Sequence, residues 1–201
     1  RSIWVTGVQT CALPISTPAT TQGTAAVTEC DRLAAYPDDP DRVGPGARRE
    51  EIDLSRARAA CEADVAAQAG NPRLRYQLAR ILFYQGDTRR AVEEMRHAAD
   101  LGYAQAQFVY GTFISKHRPD APTDICLTER YWLASAKGGR QAARVSYVRH
   151  FLKGRFEGCR IHASRDEMRQ LLDTAAANAT DFYERLLIED LSERLAPGGK
   201  S

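Results

Sequence analysis

Cys159 and His162 form a Cys-x-x-His pair, a spacing that supplies two zinc ligands. A tetrahedral site needs two more, and none falls nearby, so a disulfide or a structural cysteine beside a surface histidine competes with the metal. The remaining histidines, His97, His117 and His150, are scattered. None stands in a His-Glu-x-x-His arrangement that would put two ligands one helical turn apart. A Cys/His nucleophile also needs a third group to orient its base, and nearness in sequence does not supply one. Glycine pairs occur at Gly138-Gly139 and Gly198-Gly199, where helix C-capping or a flexible tail accounts for them. No phosphate-binding loop is present and no metal or cofactor is implied. The chain therefore reads as a protein that is not an enzyme.

The densest chemistry is electrostatic. Between Lys137 and Arg160 lie Lys137, Arg140, Arg144, Arg149, Lys153, Arg155 and Arg160 against the single acid Glu157, with Tyr147 and Phe151 interleaved. A basic helix carrying aromatics can bind phosphate backbones or an acidic protein surface. The competing reading is a solvated outer face whose arginines pair with the acids of Asp181 to Glu193. The formal net charge of the whole chain, +2, is too small to argue for nucleic acid or an anionic membrane.

The elements that position these residues are given by an internal repeat. Tyr76, Leu78, Ala79 and Leu82 correspond to Phe108, Tyr110, Gly111 and Ile114, and Met95, Ala98, Ala99 and Gly102 correspond to Trp132, Ser135, Ala136 and Gly139. Each copy has a first helix, a turn and a second helix ended by glycine, with a longer middle loop in the second copy. A unit of this kind buries its apolar face only against neighbours, so the expected fold is an all-α, right-handed α/α solenoid.

The same residues carry a family resemblance. Tyr103-Ala-Gln-Ala-Gln-Phe-Val-Tyr-Gly111 and Arg130-Tyr-Trp-Leu-Ala-Ser-Ala-Lys-Gly-Gly139 resemble the two halves of a Sel1-like repeat, a relative of the tetratricopeptide repeat. In that family an A-x-A-x-x-x-L-G first helix packs on a W-x-x-x-A-A-x-x-G second helix. The match runs from about Asn71 to Ala177. It departs from the pattern at Arg73 to Gly86, nearer to a plain tetratricopeptide unit, and in the third copy from Arg140, whose second helix lacks the aromatic. The resemblance implies a tryptophan at position 132 packed between helices, and roles in bacterial envelope or signalling complexes.

Along the chain, a helical piece near Glu29 to Tyr36 ends at Pro37, and Pro37 to Gly46 reads as an irregular loop. A helix from about Leu54 to Gln68 stops at Gly70-Asn71-Pro72, which places proline in the next first turn. From Arg73 to Tyr84, the residues Leu74, Leu78, Ile81 and Leu82 share a face. Asp87 is placed to N-cap the following helix, where Ala91, Met95 and Ala98 line the facing stripe. Lys116 to Asp124 is a loop with two prolines that lengthens a turn and offers a contact point. Ser164-Arg-Asp-Glu167 has capping-box form. The last helix, about Asp181 to Leu195, places Tyr183, Leu187 and Leu191 on one stripe and caps the stack before a tail from Pro197.

Residues 1–15 are set aside, because Val5-Thr-Gly-Val-Gln-Thr-Cys-Ala-Leu-Pro-Ile15 resembles the translation of a sequencing-library adapter found in assembled environmental reads. On this reading the biological N-terminus is missing, which leaves room for a lost signal peptide or a lost preceding domain. Domain organisation is then 1–15 adapter-derived, 16–28 a disordered Thr/Ala-rich linker, 29–70 an N-terminal helical segment, 71–177 the repeats, and 178–201 a capping helix and tail. Hydrophobic residues make up 43% and charged residues 27%, enough to bury a core. No apolar run approaches the roughly 20 residues that span a bilayer.

With Cys11 excluded, four cysteines remain: Cys30, Cys61, Cys126 and Cys159. Four free thiols are one reading. The other pairs Cys126 with Cys159, since both fall near the first-to-second-helix loops of consecutive repeats, and Cys30 with Cys61 across the N-terminal segment. Such bonds are rare in the cytosol, so pairing implies a periplasmic or secreted protein, and its absence a cytoplasmic one. Candidate partner-binding residues are Arg75, Tyr76, Gln107, Tyr110, Arg144 and Tyr147, on the concave surface formed by first helices. The expected function is a non-catalytic scaffold that binds a protein or peptide. The alternative is the accessory repeat segment of a larger caspase-like peptidase.

Overall fold

A computed structural model describes residues 26–197. The expectations for residues 1–15, for most of 16–28 and for Gly198-Gly199 lie outside the described residues. Within them all regular structure is helical: α1 (Glu29–Ala34), a 3₁₀ turn (Arg49–Glu51), α2 (Leu54–Ala67), α3 (Pro72–Tyr84), α4 (Thr88–Asp100), α5 (Ala104–Ser115), α6 (Ile125–Lys137), α7 (Gln141–Leu152), α8 (Arg165–Asn178) and α9 (Phe182–Leu195). Consecutive helices pack on one another from α1 through α9, so α3/α4, α5/α6 and α7/α8 form a stack of antiparallel hairpins. At one end α1 and α2 both pack on α3, and at the other α9 packs on both α7 and α8. Helices α1 and α2 thus lie against the N-terminal end of the stack and α9 against its C-terminal end.

The sequence sets these boundaries through caps. Asp53, Asn71, Asp124 and Asp181 accept backbone N–H groups at the starts of α2, α3, α6 and α9, and Pro72 occupies the first turn of α3. At α8 the capping box forms both ways: Ser164 Oγ accepts from the Glu167 N–H at 3.1 Å and Glu167 accepts from the Ser164 N–H at 2.8 Å. Asp87 occupies the N-cap position of α4 as expected, but its side chain makes no capping hydrogen bond. Its carboxylate turns instead toward Arg58 and Arg90, at 3.9 and 3.8 Å.

Helices α3 to α7 all end in the same pair of backbone bonds, seen at α4 as Gly102 N–H to Ala99 C=O and Tyr103 N–H to Ala98 C=O. The residue that turns the chain must adopt a left-handed conformation. Gly86, Gly102, Gly139 and Gly154 do so after α3, α4, α6 and α7; after α5 the position is filled by His117, at φ 49°.

Apolar burial follows the stack. Cys30, Ala57, Cys61, Leu74, Leu78 and Ile81 fill the space among α1, α2 and α3. Tyr76, Ala79, Met95, Ala98, Tyr110 and Ile114 fill the next layer. Trp132, Tyr147, Met168, Leu172, Leu191 and Leu195 close the C-terminal layer. Trp132 is buried between helices and its indole N–H donates to the Phe108 carbonyl at 3.0 Å. A Cβ on Gly111 would lie 2.5 Å from the indole, so α5 presents bare backbone where α6 sets its tryptophan. The register of α9 differs from expectation. Its buried stripe is Ile188, Leu191 and Leu195, while Tyr183 is 80% exposed.

Candidate functional site

The first helices α3 and α5 border a cavity of about 270 Å³, which also touches the chain's own N-terminal loop at Tyr36. From α3 come Tyr76, Arg80, Phe83 and Tyr84, and from α5 Gln105, Phe108, Val109 and Phe113. Each set recurs at helical spacing, so one stripe of each helix faces the cavity. Phe83 and Phe113 stack across it with centroids 5.1 Å apart. A second, more polar cavity adjoins it through Arg140 and is lined by Pro37, Asp38, Pro40, Arg42, Gln141 and Arg144 among others.

Arginines dominate this face. Arg80, 5% exposed, donates to the carbonyls of Ala34, Ala35 and Ala47 at 3.0, 3.0 and 2.6 Å. Its guanidinium lies 5.1 Å from the Tyr36 ring centroid and 5.2 Å from that of Tyr84. Its hydrogen bonds go to carbonyls and to the Tyr84 hydroxyl, so neutral dipoles and ring faces take the place of a carboxylate. Arg140 lies over the Phe108 ring at 5.8 Å, and its buried Nε has no acceptor. Gln105, 3% exposed, donates to the Tyr76 hydroxyl at 3.2 Å while its Oε1 receives no donor. Both atoms are sealed from solvent, so two residues of the cavity lining carry buried polar atoms without a partner.

The loop from Tyr36 to Ala47 is fastened against this face. Besides the Arg80 bonds, Asp39, 1% exposed, accepts from the Tyr103 hydroxyl at 2.6 Å. Burial pushes the Asp39 carboxyl above its usual range, outweighing the opposing hydrogen bond from Tyr103. At the base of the loop Asp31 behaves oppositely. Burial would raise it, but Arg73 at 2.8 and 3.0 Å, the Thr28 N–H and Gln77 hold it below the ordinary carboxylate range.

Of the residues singled out from sequence, Arg144 lines the polar cavity and Tyr76 forms part of the apolar wall. Tyr76 is only 3% exposed, and Tyr110 and Tyr147 are buried as well. These three are corrected from outward-facing contacts to packing residues. Tyr110 meets Tyr131 edge-on at 5.0 Å, and the Tyr147 hydroxyl donates to Glu129 at 2.8 Å. Arg75 faces elsewhere, paired with Glu94 at 2.7 Å, and Gln107 is tied to the Ala99 carbonyl at 3.2 Å. Sequence reading missed Arg80, Phe83, Gln105 and Phe108 as site residues and named Arg140 only within the basic stretch. The available signal was the second stripe of α3, Tyr76-Arg80-Phe83-Tyr84, opposite the aliphatic one. The expected pairing of the basic stretch with the acids of α9 is also not made. Lys137 pairs with Glu167 of α8 at 3.1 Å, and it is Gln141 that reaches Glu184.

The cysteines come together as two pairs. Cys30 with Cys61 and Cys126 with Cys159 stand at disulfide distance, Cα atoms 4.6 and 5.3 Å apart. Cys159 is thereby turned toward Cys126. His162 meets the fully buried Glu129 through Nδ1 at 2.7 Å and donates its backbone N–H to the same carboxylate at 2.9 Å. The Cys-x-x-His pair does not converge on one point. Among the described residues no three His, Cys, Asp or Glu side chains gather to hold a metal, and no helix is long and apolar enough to cross a membrane.

A stack of helix hairpins with a pocketed first-helix face defines the class: an α/α-repeat protein. No family model matches the chain, and no curated protein matches it. Among solved structures it is similar to a Sel1 repeat protein from Oxalobacter formigenes, with a TM-score of 0.53 and 21% identity over 66% of this chain and 98% of that one. The chain thus has the fold of a Sel1-like repeat solenoid.

Proposed function

We propose that the protein is a non-catalytic scaffold that binds a protein or peptide partner on the face formed by α3, α5 and α7. One observation carries the reading: the cavity between α3 and α5 has an aromatic wall of Phe83, Phe108 and Phe113 and adjoins a second cavity lined by Arg42, Arg140 and Arg144. An aromatic-walled pocket beside charged groups suits the anchoring side chain of a peptide. The extended surfaces of stacked repeats serve binding in general. Panning a random-peptide display library on the full chain tests this. Enriched families that lose binding to Val109→Trp, which fills the cavity, support it. No enrichment, or binding indifferent to that substitution, refutes it.

We place the protein in an oxidising compartment, the periplasm or outside the cell. The two cysteine pairs at disulfide distance support this, because such bonds seldom persist in a reducing cytosol. Each closes a loop spanning 31 or 33 residues and is worth roughly 3.5–4 kcal/mol in the chain-entropy account. Intact-mass thiol counting with and without reductant checks it on protein recovered from its native compartment. Four blocked cysteines mapping to these pairs are expected, and four free thiols in folded protein would refute the placement.

A further inference from the structure

The cavity can take the side chain of a peptide; the charges and rings around it say which kind. The two adjoining cavities are lined by Arg42, Arg80, Arg140 and Arg144 against the single acid Asp38. Hydrogen bonds leave this charge without a carboxylate: Arg80 is spent on carbonyls and Arg144 reaches only Gln141, at 3.5 Å. The apolar cavity is walled by Phe83, Phe108 and Phe113. Its 270 Å³ exceeds the roughly 150 Å³ that admits a benzene ring.

The chain already shows what this surface holds. Its own segment Tyr36-Pro-Asp-Asp-Pro-Asp41 is an aromatic followed by acids. It lies along the same face, with the Tyr36 ring against the Arg80 guanidinium and Asp39 buried on the Tyr103 hydroxyl. That loop borders the cavity without filling it.

Building on the reading above, we infer that the partner segment is acidic and aromatic: an aromatic side chain enters the cavity between α3 and α5, and flanking carboxylates accept from the guanidinium groups of Arg140 and Arg144. Charge-assisted bonds to guanidinium are the stronger kind, and an aromatic anchor in a desolvated pocket carries a large share of binding energy.

The test is fluorescence anisotropy on the full chain with four labelled peptides: SEDFDES, SEDGDES, SQNFNQS and SKKFKKS. SEDFDES is expected to bind, with SEDGDES and SQNFNQS each weaker by at least about tenfold and SKKFKKS inactive. Arg140→Gln is expected to weaken SEDFDES several-fold and to flatten its dependence on salt, since exposed charge pairs are screened. Val109→Trp should abolish binding with the arginine-lined surface intact. Circular dichroism melts confirm that both variants fold. Equal binding of the acidic and amidated peptides, tighter binding of SKKFKKS, or indifference to Arg140→Gln would overturn the inference. If none of the four binds while the display library enriches cavity-dependent peptides, the acidic-aromatic chemistry is wrong and the scaffold reading stands. If the library yields nothing, both fall.

Discussion

Gly111→Ala isolates the contact that sets the spacing of α5 and α6. The added methyl would sit 2.5 Å from Trp132 Cδ1 and 2.7 Å from Nε1, about 1 Å inside the ordinary separation of about 3.5 Å. Trp132 cannot yield freely. Its N–H is bonded to the Phe108 carbonyl, His150 lies edge-on to it with centroids 4.6 Å apart, and Phe156 flanks it. Forcing the indole aside costs about 1–3 kcal/mol of overpacking and part of a hydrogen bond worth about 1 kcal/mol. Alanine returns up to about 1 kcal/mol of helix propensity. The net expectation is a loss of about 1–3 kcal/mol, or roughly 3–10 °C in Tm for a domain of this size.

Thermal melts by circular dichroism, with near-ultraviolet signals reporting the indole, give the readout. Gly70→Ala is the matched control, since a Cβ there meets nothing within 4 Å; it should change stability by less than about 0.5 kcal/mol. Combining Gly111→Ala with Trp132→Phe should recover part of the loss, because the smaller ring leaves room and the pair is in direct contact. A Gly111→Ala protein as stable as its parent would show that α5 and α6 do not approach on bare backbone and would refute the packing.

Three further outcomes follow from the same geometry. His117→Gly should stabilise the protein by about 1 kcal/mol, because His117 holds a left-handed backbone at the end of α5 where the equivalent positions carry glycine; the urea midpoint reports it, and an unchanged or lower midpoint counts against it. Asp31→Asn should destabilise by about 3 kcal/mol by leaving the buried Arg73 charge uncompensated. Because the Asp31 carboxyl is held low, its contribution is present above the ordinary carboxylate range and is lost as pH falls through the lowered value; urea unfolding across acid pH should show that slope in the parent and lose it in the variant. Asp39 has the opposite sign. Its carboxyl is raised, so its contribution is full below the ordinary carboxylate range and fades as pH rises through the raised value. Hydrogen exchange in the Tyr36–Ala47 loop should therefore speed up over that interval beyond the intrinsic rate change, and Asp39→Asn should remove the excess.

The aliphatic stripe Leu74, Leu78, Ile81 and Leu82 and the alanines of α4 were legible because helix periodicity and burial coincide there. The capping box at Ser164 was legible because its partners are three residues apart. Asp87 shows the limit of local reading. A capping residue type stood in the right place, but Arg58 and Arg90, brought near by folding, compete for the carboxylate. The tyrosines failed for a related reason. Tyr110 and Tyr147 look outward on a lone helix, yet neighbouring helices cover them and supply Tyr131 and Glu129 as partners. In α9, Tyr183 and Ile188 both fit an apolar stripe, and only contact with α7 and α8 selects the second.

The sequence by itself determined the helix hairpins and most of their glycine-ended turns, because each depends on periodicity or backbone conformation; it left pairing of the cysteines open against four free thiols, and folding brought them to disulfide distance. Tertiary structure alone decided the rotation of each helix, the fastening of the Tyr36–Ala47 loop across the first-helix face, and the cavity that unites Arg80, Gln105, Phe108 and Arg140. Those four come from α3, α5 and the turn before α7, up to 60 positions apart (80 to 140). No local spacing records such a meeting; it arises when successive hairpins bury their apolar stripes on one another and leave the remaining stripes facing a common groove.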